Sequence, residues 1–244
     1  MNGFWAVYRR ELQSYFATPV AYVFLVIFLF FSGYLPFKAK FFEIGRADLT
    51  LFFSNMPLLF VFMVPSIAMR LWAEERRSGS IELLMTLPIT VPQAVLGKFT
   101  AAWAFIGIGL LLTVPMPLTV MYLGKPDPGP IILGYLGSFL MAGVFLAIGS
   151  FFSALSKSQI ISFILSVVGC AVLVYAGAPS TLNYLTVLLP RGLVDAVEAI
   201  SMPAHLDPMV KGILDLYDVA YFLLLIVGWI VSCCIIVDER KAQS

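Results

Sequence analysis

The chain predicts an all-α integral membrane protein with six transmembrane helices and shorter amphipathic elements at both faces. Of its 244 residues, 61% are apolar and 12% charged. The mean hydropathy is +0.97, more apolar surface than a soluble domain of this length can bury. Six runs free of Asp, Glu, Lys, Arg and His reach the roughly 20 residues that cross about 30 Å of hydrocarbon. They cover 17–37, 49–69, 99–124, 129–153, 159–178 and 219–237. Runs of this length exclude alternating barrel strands. The first starts too deep for a cleavable signal and lacks a small-residue cleavage site. Residues 1–244 read as a single domain, with no repeat or linker.

Ahead of the first run, residues 1–16 have helical periodicity. Phe4, Trp5, Tyr8, Leu12, Tyr15 and Phe16 share one arc of a helical wheel, with Arg9, Arg10, Gln13 and Ser14 outside it. This predicts an interfacial helix with Trp5 and Tyr8 at headgroup level and Arg9 and Arg10 toward anionic lipid.

Six spans put both termini on one side. With the termini inside, nine basic residues are cytoplasmic (Arg9, Arg10, Arg70, Arg76, Arg77, Lys98, Lys157, Arg240 and Lys241) and six lie outside. Basic residues favour the cytoplasmic face, so both termini are expected in the cytoplasm. With net charge +1, no nucleic-acid partner is expected.

The longest charged stretch lies between spans two and three, and 70–98 reads as a cytoplasmic coupling region. Ser80 suits a helix N-cap, Glu82 favours the first turn, and Pro88 ends the element. Ile81, Leu84, Met85 and Leu87 give this short helix an apolar side. Glu74, Glu75, Arg76 and Arg77 supply a mixed-charge collar, with Gly79 between. Such an element fits a groove on a soluble partner.

Several functions are disfavoured. The spans lack the ionisable residues that ion-coupled transporters keep at membrane depth. His205, the single histidine, has no second imidazole for a metal site and reads as a loop pair with Asp207. Gly97-Lys98 is no phosphate loop, because Phe99 stands where Ser or Thr would hold magnesium and Pro92 where the first glycine belongs. ATP, if it drives this protein, is bound by another polypeptide. Cys170, Cys233 and Cys234 fall inside predicted spans and suggest no redox role. Pro57, Pro65, Pro115 and Pro117 are expected to kink spans two and three. Gly143 with Ala147, and Gly228 with Ser232, are spaced for close helix packing within one subunit.

In Tyr8-Arg9-Arg10-Glu11-Leu12, Tyr15-Phe16-Ala17-Thr18-Pro19-Val20-Ala21-Tyr22, Met69-Arg70, Glu74-Glu75-Arg76, Gly79-Ser80-Ile81-Glu82-Leu83-Leu84, Leu87-Pro88-Ile89 and Leu96-Gly97-Lys98-Phe99, the sequence resembles type-2 permease subunits of ATP-binding-cassette transporters. A weaker echo is Ala147-Ile148-Gly149 with Ser153-Ala154-Leu155-Ser156 and Gln159. The resemblance is closest to the branch associated with bacterial gliding motility and covers roughly the first two thirds of the chain.

That resemblance implies a six-span inner-membrane subunit with an elbow helix, a coupling helix between spans two and three, and a pair of short extracytoplasmic helices between spans five and six. The insertion would be 179–218, with one amphipathic helix from Leu193 to Ile200 ending before Pro203 and a second turn around Val210, Ile213, Leu214 and Leu216. It implies a second permease copy or a related permease, two copies of an ABC ATPase that bind ATP and Mg, and no cofactor or catalytic residue in this chain. Spans one and five would form the seam between permeases. Most such permeases are exporters. An extracytoplasmic partner is a further candidate, and the alternative function is a force-transmitting or assembly subunit that moves no substrate.

Overall fold

The computed structural model describes residues 3–38, 48–79, 89–188 and 190–241. All regular structure among them is helical. Among the described residues, five stretches are long and apolar enough to cross a membrane: Pro19–Lys38, Met56–Arg77, Val91–Leu123, Pro128–Leu155 and Leu216–Glu239. Gln159–Tyr175, the fifth expected span, is a shorter apolar helix of 17 residues.

The helices are α1 (Gly3–Ala17), α2 (Pro19–Lys38), α3 (Thr50–Ser54), α4 (Met56–Ala68), α5 (Arg70–Ser78), α6 (Val91–Leu111) and α7 (Pro115–Leu123). They are followed by α8 (Pro128–Leu155), α9 (Gln159–Tyr175), α10 (Pro179–Leu188), α11 (Arg191–Ile200), α12 (Met202–Val210) and α13 (Leu216–Lys241). Prolines set several of these boundaries. Pro57 opens α4 after the turn at Asn55, and Pro115 opens α7 after the interruption at Leu112–Val114. The missing proline N–H costs nothing in a first turn. Thr113 bridges the second interruption by donating to the Leu110 carbonyl at 2.6 Å, and its hydroxyl lies 2.9 Å from that of Tyr135.

Helix α8 is the axis of the bundle, contacted by α4, α5, α6, α9, α12 and α13. It can be buried on nearly all sides because small residues admit its neighbours. Gly134 lies under the Phe53 ring, Gly143 under Trp103 and Ile226, and Gly149 under Ala68. The Gly143/Ala147 pair thus packs within the subunit, as its spacing suggested. Gly228 differs, since a Cβ there would meet nothing within 4 Å. A Cβ on Gly149 would come within 2.3 Å of the Ala68 Cβ. Gly149→Ala is therefore expected to destabilise the fold by about 1–3 kcal/mol, as overpacked cores do. Combining it with Ala68→Gly should recover most of the loss in thermal unfolding, because the two substitutions exchange one methyl across one contact.

The bundle has two distinct ends. At one, Gly137 of α8 meets Leu206 and Met209 of α12, and Pro130 meets Gly212. At the other, Ser153 meets Trp72 and Ala73 of α5. From Gly137 to Ser153, α8 rises about 24 Å. The insertion and the charged stretch therefore lie at opposite ends, as the sequence implied.

The insertion differs in detail. Among the described residues it holds three helices, α10, α11 and α12, where a pair was expected. The turn expected around Val210 is α12, Met202–Val210, whereas Ile213, Leu214 and Leu216 are exposed in the following turn and the start of α13. Pro203 sits in the first turn of α12 and so begins a helix where a break was expected. Gly212 adopts φ 84°, a conformation open to glycine without strain, and turns the chain toward α13.

Candidate functional site

The charged stretch begins as a continuation of span two. Met69 keeps a helical conformation, so α5 extends α4. Leu71, Trp72 and Ala73 are buried. A helix start leaves unpaired N–H groups, and Met69 provides no side-chain cap. Ser153 of α8 supplies it from outside. Its hydroxyl accepts from the N–H groups of Trp72 and Ala73, each at 3.1 Å, and donates to the Met69 carbonyl at 2.9 Å. The Trp72 indole N–H donates to Ser150 Oγ at 3.3 Å. Arg76 donates to the Ala154 carbonyl at 2.7 Å, near the C-terminus of α8, where a cation is favoured. Together these bonds fasten α5 to the end of α8.

Helix α1 lies along the first half of α6. Gly3 lies against Gln93, Val7 against Gly97, and Tyr15 stacks on Phe105 at 5.0 Å. The pairs advance together, so the helices run parallel. Gly97 permits this approach, since a Cβ there would lie 2.9 Å from the Val7 side chain. Val7, outside the arc expected to enter the membrane interface, is the buried residue of α1. Phe4, Trp5 and Tyr8 instead form a ring cluster, with Trp5 60% exposed and Arg9 exposed.

These elements converge on Lys98, which is only 2% exposed. Its Nζ lies 3.1 Å from Glu11 Oε1 of α1 and 2.8 Å from Glu75 Oε1 of α5. Arg10 reaches the same oxygens at 2.8 and 3.2 Å. The buried Lys98 ammonium is thus paired with two carboxylates, as a charge removed from water requires, while half-exposed Arg10 supplies the second cation from the solvent side. The Lys98 ammonium also lies 5.2 Å from the Trp72 ring centroid, within cation–π range. Burial opposes charging Glu11, but Lys98 and Arg10 outweigh it and hold the carboxyl below its ordinary range. The Glu11 hydrogen bond, against the cost of burial, raises the Arg10 guanidinium.

The four residues read as a collar therefore divide. Glu75 and Arg76 turn inward to the cluster and to α8, while Glu74 pairs with Arg70 at 3.0 Å and Arg77 is exposed. Gly79 ends α5 at φ 72°, in the left-handed region that favours glycine. Ser80, Ile81, Glu82, Leu84 and Met85 lie outside the described residues. Where the chain is again described, Thr90 caps α6 and donates its N–H to Gln93 Oε1 at 3.3 Å. Beside it is an open cleft of about 470 Å3, lined by Ile89, Thr90, Val91, Pro92, Cys234, Ile235 and Asp238.

Sequence reasoning did not select Lys98, Trp72, Ser150 or Ser153. A usable signal was a lysine at the very edge of an apolar run, together with acids one helical region away on either side.

Helices of crossing length around a buried axis, with short helices at one end and a charged cluster at the other, define a multi-pass membrane protein. The chain belongs to the family described as ABC-2 family transporter protein, whose model matches residues 47–231. It is the membrane-spanning permease component of an ABC transporter, in a family that is generally non-catalytic and works with an ABC ATPase. No curated protein shows a significant match.

Proposed function

We propose that this chain is an exporter permease of the gliding-motility-associated branch, working in a bacterial inner membrane as one of two permeases above two ATPase copies. α9 is its fifth span, since 17 residues lie at the short end of the crossing range. Both termini and the Lys98 cluster face the cytoplasm, and α10 to α12 face outward. A second permease copy meets this one along α2 and α9, whose exposed residues Val26, Phe30, Ile160 and Val168 offer apolar surface. ATP and Mg bind the partner ATPase. Its motion reaches the permease through the segment from Ser80 to Leu87, bracketed by Glu74, Arg77 and Gly79, and passes into the spans as a shift between two packed arrangements.

One observation supports this reading above others. Lys98 joins α1, α5 and α6, so the two helices flanking residues 80–88 share one buried ion cluster with the N-terminal helix. A push delivered between α5 and α6 would move all three together.

Leu84→Glu tests the proposal. Purified from its own host in mild detergent, the wild-type permease should bring down an ABC ATPase that hydrolyses ATP, and the variant should lose at least tenfold of it. Equal recovery and equal hydrolysis would overturn the assignment of this contact.

A further inference from the structure

Where the charged end of the bundle meets the apolar spans, α1 and α5 stand apart and leave a polar cavity of about 80 Å3 between them. Glu11, Ser14, Tyr15 and Thr18 line it from α1, and Arg70, Leu71 and Glu74 from α5. The α1 positions are spaced three and four apart, so they share one side of the helix. The apolar run of span one begins at Ala17 and that of span two ends at Met69. The cavity therefore sits at the edge of the hydrocarbon, and it has room for more than a single water.

Its walls carry hydrogen-bonding capacity that the described residues do not use. Arg70 donates from Nε to Glu74 Oε2 at 3.0 Å, and its terminal nitrogens make no bond among the described residues. Glu11 receives Arg10 and Lys98 at Oε1, which leaves Oε2. The Tyr15 hydroxyl has no hydrogen-bond partner among the described residues, although its ring is held against Phe105 at 5.0 Å. Charges of both signs are present and nearly cancel, since Arg70 pairs with Glu74 and Glu11 with Lys98. Such walls complement a zwitterion better than a simple anion or cation. Deeper along the same seam, α2, α4 and α6 leave a narrow apolar cleft of about 30 Å3, lined among others by Phe24, Met63, Ile67 and Phe105. Phe105, which stacks on Tyr15, and Ile67, one turn before Leu71, join the two spaces. A polar chamber with a dry apolar cleft beyond it matches an amphiphile.

We infer that this cavity binds the headgroup of a phospholipid that carries a primary ammonium, of the phosphoethanolamine type, with an acyl chain running toward the cleft between α2 and α4. The phosphate accepts from the Arg70 guanidinium, and the ammonium donates to Glu11 Oε2 and the Tyr15 hydroxyl. An ammonium offers three donors to these acceptors. A trimethylammonium offers none, and a glycerol headgroup brings a net negative charge with no cation for Glu11. The bound lipid ties α1 to α5 beside the Lys98 cluster, through atoms that the cluster leaves open.

Native mass spectrometry of the full chain in detergent, titrated separately with dioleoyl phosphatidylethanolamine, phosphatidylcholine and phosphatidylglycerol, tests the site. Wild type should bind the first about tenfold more tightly than either of the others. Arg70→Gln, which removes the guanidinium, should weaken that binding about tenfold. Tyr15→Phe keeps the stack on Phe105 and removes only the hydroxyl, so it should fold as wild type does and bind about threefold to fivefold more weakly. It decides the matter even where Arg70→Gln folds poorly. Equal binding of the three lipids, tighter binding of phosphatidylglycerol, or wild-type affinity in Tyr15→Phe would each overturn the inference. Soluble glycerophosphoethanolamine, which has the headgroup without chains, should compete about a hundredfold less well than the lipid. Competition as strong as the lipid's own would overturn the assignment to a membrane lipid.

Discussion

Lys98→Met is expected to lower stability by about 3–5 kcal/mol, the usual cost of removing one partner from a buried ion pair. The methionine nearly conserves volume, so the loss is electrostatic. Glu11 and Glu75 would then share Arg10, which is half exposed and screened. For a chain of this size that is a fall in Tm of roughly 10 °C in thermal unfolding. The pH dependence gives a sharper reading. In the wild type the folded-state Glu11 titrates below its ordinary range. Its contribution is present above the unfolded carboxylate range and is lost as pH falls through the lower folded value. Without Lys98 the burial of Glu11 is no longer outweighed, so that sign reverses and mild acid should recover part of the lost stability. Adding Glu75→Gln to Lys98→Met should cost less than Lys98→Met alone, since it removes the stranded charge. If the acid response of Lys98→Met matched wild type, the cluster would not be carrying this energy.

Trp72→Ala is expected to cost about 3–5 kcal/mol, the range for truncating a buried aromatic residue. Trp72 is fully enclosed between the end of α8 and the Lys98 ammonium. Its loss opens a cavity, removes a hydrogen bond to Ser150 and exposes the underside of the ion cluster. Trp72→Phe keeps most of the apolar surface and should cost nearer to about 1–2 kcal/mol, mainly for the missing N–H. Thermal unfolding in detergent separates the two. In the assembled transporter, Trp72→Ala should also weaken ATPase recovery, because α5 would no longer be held against α8. Equal losses for Ala and Phe would place the energy in the hydrogen bond instead of the packing.

Much of the architecture could be read from the residues, for reasons that are local. Transfer of apolar side chains from water is nearly additive along a run, so charge-free runs mark the apolar helices whatever their neighbours. Proline removes an N–H wherever it stands, which placed the interruptions beside Pro57 and Pro115. The short α9 shows the limit of this logic, since an apolar run from 159 to 178 forms a regular helix only to Tyr175.

Partners of polar side chains were not legible in the same way. Glu75 and Arg76 look like neighbours of Glu74 and Arg77 in sequence, yet a helix turns successive residues by about 100°. The first two face the bundle and the others do not. Lys98 meets Glu11 across 87 positions, and Trp72 meets Ser153 across 81, contacts fixed by which helices pack together. His205 passed over the adjacent-looking Asp207 for Asp218, because the folding of α12 onto α8 buries one acid with the ring and leaves the other in solvent. The sequence alone therefore determined the membrane class, the apolar runs that become helices and the interruptions beside Pro57 and Pro115, since these depend on local hydrophobicity and backbone chemistry. Tertiary structure decided which charges are buried together, since that depends on the helix faces brought into contact.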